Sequence, residues 1–143
     1  MDIRQLTPRY SVSPQISPED MEAIAAAGFT TVICNRPDEE VPPSHQAQAI
    51  GEAAKAAGLT FQVLPITHQS MTPQTIAQQR DMLAASDGPV LAYCASGTRS
   101  SVIWALGAAA EMSVDDVLEA TRHAGYALEN LRPTLEQAAR QGL

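Results

Sequence analysis

The sequence predicts an α/β fold in which one mostly parallel central sheet is flanked by helices. Three observations carry that expectation. Short, β-branched, continuously apolar runs recur at "TTVICN", "TFQVLPI" and "PVLAYC", the pattern of strands buried on both faces. Helix-patterned stretches alternate with those runs, the order that produces a parallel sheet covered by helices. A chain of 143 residues that is 45% hydrophobic and 17% charged buries a sizeable core as one domain, 1–143, without disulfide or metal staples.

Taken in order, "IRQL" and "YSVS" predict a short antiparallel pair at one edge of the sheet. Ser17-Pro18-Glu19-Asp20 starts a helix. Ser17 can cap, Pro18 fits the first helical position, and the acids favour the positive dipole end. That helix runs to about Ala27 and stops at Gly28. Residues 30–35 form the first buried strand, and "RPDEEVPPS" a loop. Ser44 caps an Ala-rich helix that ends at Gly58. Residues 60–66 give the next strand, Thr72-Pro73 a helix to about Ala85, and residues 89–94 a further strand. Helices follow from about Ser100, from Ser113, and after Pro133. Met71 and Met112, just before helix starts, read as hydrophobic staples. Trp104 is expected to pack its helix on the sheet.

Charge and composition exclude several functions. The net charge of −7 and a pI of about 4.8 oppose nucleic-acid binding, which needs clustered Lys and Arg. "MDIRQLTPRYSVS" has no apolar core of signal-peptide length, and no apolar stretch of about 18 residues marks a membrane span. The expected location is therefore cytoplasmic. Two cysteines, Cys34 and Cys94, fit a reducing compartment rather than a disulfide scaffold. Three scattered histidines without CxxC or HxxxH give no metal site, and no cofactor is called for.

The chemistry concentrates where parallel sheets bind ligands, at the carboxyl ends of the strands. "YCASGTRS" sets Cys94 at a strand end, follows it with small residues, and then opens a helix. Ala95, Ser96, Gly97 and Thr98 let the backbone curl with its N–H groups inward, making an anion nest. The helix N-terminus adds positive potential, and the Arg99 fork closes the ring. Such surroundings favour a thiolate. They predict an anion-binding loop of residues 95–99 around a Cys94 nucleophile, acting on a small anionic substrate.

"YCASGTRSS" resembles the active-site loops of two thiolate families, the cysteine phosphatases with HC-x5-R-[ST] and the rhodanese-type sulfurtransferases with YC-x4-R-S. The Cys94–Arg99 spacing is the rhodanese one. The element order, with "TTVICNRPDEE" and "FQVLPITHQSMTPQTI" ahead of the loop, is similar to the dual-specificity phosphatase fold. Together these resemble the phosphatase-like domain of beta-lactamase-hydrolase-like proteins, also catalogued as a sulfur transferase family. The resemblance spans nearly the whole chain and implies a cysteine-phosphatase-like (dual-specificity) fold.

Two enzymatic readings follow. A phosphatase needs a general acid for the leaving oxygen; a sulfurtransferase needs a thiolate that holds sulfane sulfur as a persulfide. Here the ring is one residue short, Tyr93 replaces the histidine, and "PITHQSM" carries no carboxylate where the phosphatase acid would fall. These departures favour sulfur transfer, with a persulfide or thiosulfate as donor. The alternative is phosphomonoester hydrolysis through a phosphocysteine at Cys94. A second alternative is an oxyanion-binding module without turnover. Asp38 of "NRPDEE" is a candidate acid or base, or a turn residue of a solvated loop. Ser100 matches the phosphatase hydroxyl that assists the thiolate. His68 and Arg36 are candidate rim residues. Cys34 is either a packing residue or a redox partner of Cys94. Close strand ends would bring the two together, whereas a one-residue offset would aim them apart.

Overall fold

The computed structural model describes residues 1–142. Five strands, β1 (Arg4–Thr7), β2 (Tyr10–Ser13), β3 (Thr31–Cys34), β4 (Thr60–Val63) and β5 (Val90–Tyr93), form one sheet in the order β1-β2-β5-β3-β4. Only β1 and β2 pair antiparallel; the β2–β5, β3–β5 and β3–β4 pairs are parallel. β5 and β3 are thus central, and the loops at their carboxyl ends lie side by side.

β3, β4 and β5 are each shorter than the apolar run that predicts them, because the last residues of those runs leave the regular ladder at the carboxyl end of the sheet. They keep backbone pairing as they do so. Asn35 N–H donates to the Tyr93 carbonyl (2.9 Å), Leu64 N–H to that of Cys34 (2.9 Å), and Ile66 N–H to that of Asn35 (2.8 Å). β4 departs from the expected buried strand. It is the sheet edge, and Val63 at its end is 45% exposed.

Helices cover both faces. Val32, Cys34, Leu91 and Tyr93 point to one side, where Met21 and Ile24 of α1 (Met21–Ala26) and Ile50 and Ala54 of α2 (Ala47–Ala56) pack. Ile33, Val90 and Ala92 point to the other. There they meet α3 (Pro73–Ala85), α4 (Thr98–Ala108), α5 (Val114–His123) and α6 (Arg132–Gln141). Trp104 does pack α4 onto the sheet, stacked on Tyr10 with ring centroids 6.1 Å apart, a geometry worth about 0.5–1.5 kcal/mol beyond area burial. Met71 and Met112 pack on the same core.

The predicted starts are met at Pro73, capped by Thr72, and at Val114, where the Ser113 hydroxyl accepts from Asp116 N–H at 3.1 Å. Four starts differ, the last by little: α6 begins at Arg132, with the Pro133 expected to precede it inside its first turn. A 3₁₀ turn, Pro18–Asp20, precedes α1, with Asp20 accepting from Ser17 N–H at 2.8 Å. α2 begins at Ala47 rather than after Ser44; Ser44 lies in a separate 3₁₀ turn, and the side chain that takes an orphan donor of α2 is Asp38, accepting from Ala47 N–H at 2.9 Å. α4 begins at Thr98 because Gly97 can take the left-handed φ of +93° that turns the strand into a helix.

Candidate active site

β5 delivers Cys94 to the carboxyl end of the sheet, and the loop to α4 closes over it. Cys94 is fully buried. Gly97 N–H donates to its sulfur at 3.1 Å. Gly97 is needed here twice: for its positive φ, and because a Cβ would overlap the hydroxyl of Tyr126. That hydroxyl donates to the Ser96 carbonyl at 3.0 Å. Thr98 N–H is taken by the Ser96 hydroxyl at 3.4 Å. One backbone donor, Gly97 N–H, thus meets the sulfur, while Thr98 and Arg99 of the expected 95–99 loop belong to the first turn of α4.

Arg99 is already engaged. Its two terminal nitrogens donate to the two oxygens of Glu40, at 2.8 and 2.7 Å, and one also donates to the Ile66 carbonyl at 2.8 Å. Arg36 Nε donates to the same Glu40 carboxylate at 3.1 Å, and its Nη1 to Gln15 at 3.2 Å. The Arg99 fork, helped by Arg36, holds the Glu40 carboxyl below the usual carboxylate range. An internal carboxylate thus fills the Arg99 fork in the bidentate manner.

Beneath the loop lies a buried polar network. Ser100 Oγ donates to Asn35 Oδ1 (2.9 Å); Asn35 Nδ2 donates to the Leu64 carbonyl (3.0 Å) and to Gln79 Oε1 (3.1 Å). Gln79 Nε2 donates to the Tyr10 hydroxyl (3.2 Å), which donates to the Ser100 carbonyl (2.8 Å). A fully satisfied network of this kind rigidifies its surroundings. It ties the first turn of α4 to the end of β3. The Ser100 hydroxyl, expected to serve the thiolate, spends its proton on Asn35 here.

The remaining candidates separate. Asp38 is occupied at the start of α2. His68 joins Glu40, Thr67, Ala95, Ser96, Thr98 and Arg99 around an open depression of about 400 Å³. Arg36 meets the site through Glu40. Cys34 pairs in register with Tyr93, not with Cys94, the one-residue offset that alternation along a strand turns into side chains aimed apart.

Four residues that shape the site carry little sequence signal. Gln79 is polar yet shares the buried face of α3 with Ile76, and that mismatch could have revealed it. Asn35 directly follows a continuously apolar strand. Glu40 is one of three consecutive acids, and Tyr126 follows Gly125 far from the motif; neither is distinguishable by spacing.

A family model described as "Beta-lactamase hydrolase-like protein, phosphatase-like domain" matches residues 2–111. The chain belongs to that family. The beta-lactamase hydrolase-like protein of Xylella fastidiosa (strain 9a5c) is 33% identical over 144 residues, covering 99% of this chain and 33% of the relative. That of Agrobacterium fabrum is 30% identical over 105 residues, covering 73% and 24%. The chain thus spans about a third or less of these curated relatives. Among solved structures, a Neisseria meningitidis protein described as a candidate phosphatase shares 36% identity with a TM-score of 0.85, covering 96% of this chain and 99% of that one. Tk-PTP in its active form has a TM-score of 0.70 at 14% identity, covering 99% and 98%. A Cys-to-Ser variant of P. aeruginosa TpbA in complex with phosphotyrosine gives 0.66 at 15%, covering 97% and 90%. The fold is accordingly that of the cysteine phosphatases of dual-specificity type.

Proposed function

We propose that this chain is a phosphatase-like domain turned to sulfur transfer, carrying sulfane sulfur as a persulfide on Cys94. One observation supports this above the others: the carboxylates of Asp38 and Glu40 are both committed. Asp38 accepts from the backbone at the start of α2, and Glu40 is held ionised by Arg99 and Arg36. The Asp38 carboxylate is engaged by a backbone N–H and that of Glu40 by two guanidinium groups, whereas sulfur transfer requires no acid for an oxygen leaving group.

In this reading the Cys94 thiolate attacks the outer sulfur of the donor. A new S–S bond forms at Cys94 as the donor's S–S bond breaks. The electron pair leaves with the donor as a thiolate, or as sulfite when thiosulfate is the donor. An acceptor thiolate then attacks the outer sulfur of the Cys94 persulfide, and Cys94 departs as a thiolate. No external oxidant or reductant enters. Gly97 N–H is placed to receive negative charge at the sulfur, and Arg99 to receive that of the donor once Glu40 yields the fork.

Phosphomonoester hydrolysis is the second reading. The phosphatase-like family, the Neisseria relative and the TpbA complex with phosphotyrosine favour it, and His68 on the rim of the depression is the group that would protonate the leaving oxygen. The two are separated by exposing the protein to thiosulfate or a low-mass persulfide and measuring its intact mass, with p-nitrophenyl phosphate hydrolysis as a parallel arm. The expected result is one added sulfur atom on Cys94 and no phosphate release. Phosphate release without sulfur uptake would reverse the assignment. Oxyanion binding with neither reaction would leave an anion-binding module.

A further inference from the structure

Among the described residues, the C-terminal part of the chain reaches the loop through one polar contact, the Tyr126 hydroxyl. Tyr126 lies beyond the residues 2–111 that the family model matches, and it follows the left-handed Gly125 that ends α5. Its hydroxyl donates to the Ser96 carbonyl at 3.0 Å. The N–H of that same peptide unit is Gly97 N–H, the group that donates to Cys94 Sγ at 3.1 Å. A peptide unit is planar and trans, so its carbonyl and N–H point in opposite directions. Fixing one end fixes the aim of the other.

We propose that Tyr126 is a positioning residue: by holding the Ser96 carbonyl, it aims the Gly97 N–H at the Cys94 sulfur. Two effects act together. The bond opposes rotation of the Ser96–Gly97 peptide, which a glycine at its C-terminal side would otherwise permit. It also polarises the peptide, because a carbonyl that accepts a hydrogen bond makes its N–H a stronger donor. Tyr126 is itself held. The Arg4 guanidinium stands over its ring, 5.6 Å from the centroid, and donates to the Ala124 carbonyl at 3.0 Å. Gly125 makes room for that arrangement, since a Cβ there would overlap the guanidinium. The path from β1 to the sulfur thus runs Arg4, Tyr126, the Ser96–Gly97 peptide, Cys94.

The test compares the parent with Tyr126→Phe, which removes the hydroxyl and keeps the ring. In ¹H–¹⁵N spectra the Gly97 amide proton is expected to move upfield and to exchange faster with solvent, with little change in Tm. The maximal rate of sulfur uptake at Cys94 should fall about tenfold, the worth of one aimed hydrogen bond, while the half-saturating donor concentration stays the same. An unmoved Gly97 resonance overturns the proposal, as does an undiminished rate in a variant that takes up sulfur. Should the parent take up no sulfur, the functional reading fails while the spectra still decide the role of Tyr126. Should Tyr126→Phe not fold, Arg4→Gln keeps the hydroxyl but frees the ring; a smaller Gly97 shift in the same direction is then expected, and none would overturn the proposal.

Discussion

Cys94 and Cys34 stand at the carboxyl ends of adjacent parallel strands, one residue out of register, and both are buried. Their surroundings are opposite. At Cys94 a backbone N–H points at the sulfur and an arginine lies five residues on. At Cys34 the sulfur donates to the Arg36 carbonyl at 3.4 Å, and burial pushes the thiol up, so it stays protonated. Its neighbour Tyr93 is fully buried, and the phenol oxygen has no hydrogen-bond partner. The difference lies in what the next backbone groups present. One loop turns a backbone N–H, a donor, toward its sulfur, and the other turns a backbone carbonyl, an acceptor, toward its sulfur. The one-residue offset then aims the two side chains apart.

The sharpest way to break this comparison is to exchange the sulfurs. Cys94→Ser should lower turnover by roughly a thousandfold or more, as loss of a covalent nucleophile does. Cys34→Ala should leave turnover within about twofold and reduce stability by about 1 kcal/mol, an ordinary buried substitution. Turnover assays and denaturant melts check both. Comparable losses at the two sites would end the distinction.

Glu40 joins the regions, since Arg36 offers its carbonyl to Cys34 and its guanidinium to Glu40, which holds Arg99. Glu40→Gln should raise sulfate affinity at neutral pH several-fold, up to about tenfold, by withdrawing a competing charge. Calorimetric titration reads this directly. The pH dependence has a definite sign. The folded-state carboxyl lies below its ordinary 4.5, so the Glu40–Arg99 pair is complete above that value. It is lost as pH falls through the lowered one. Sulfate affinity of the parent should therefore rise in that acid window, and the Gln variant should lack the rise. The stability change should stay below about 1 kcal/mol, because the Glu40 side chain is 34% exposed and solvent screens the pair.

The smallest effect expected is an absence. Graded peroxide followed by peptide mapping should find oxidised Cys94 with Cys34 still a free thiol, since the one-residue offset aims the two side chains apart. A Cys34–Cys94 disulfide would show that the strand ends rearrange far more than the sheet register suggests.

The sequence by itself determined the alternation of strands and helices, the helix starts at Thr72-Pro73 and Ser113, and the strand–turn–helix passage that holds Cys94 and Arg99. Those features are local. Periodicity, capping and small-residue runs act within a few positions, and they can be read along the chain. Only the tertiary structure decided that Glu40 fills the Arg99 fork, that Asp38 serves α2, and that Ser100 answers to Asn35 and Gln79. It also decided that a tyrosine from beyond α5 holds the peptide facing the sulfur. Each of these joins polar atoms from separate elements. Their partners are fixed by sheet order and by burial, which forces a polar group to find whatever donor or acceptor the packing brings near. No spacing in the chain records which one that is.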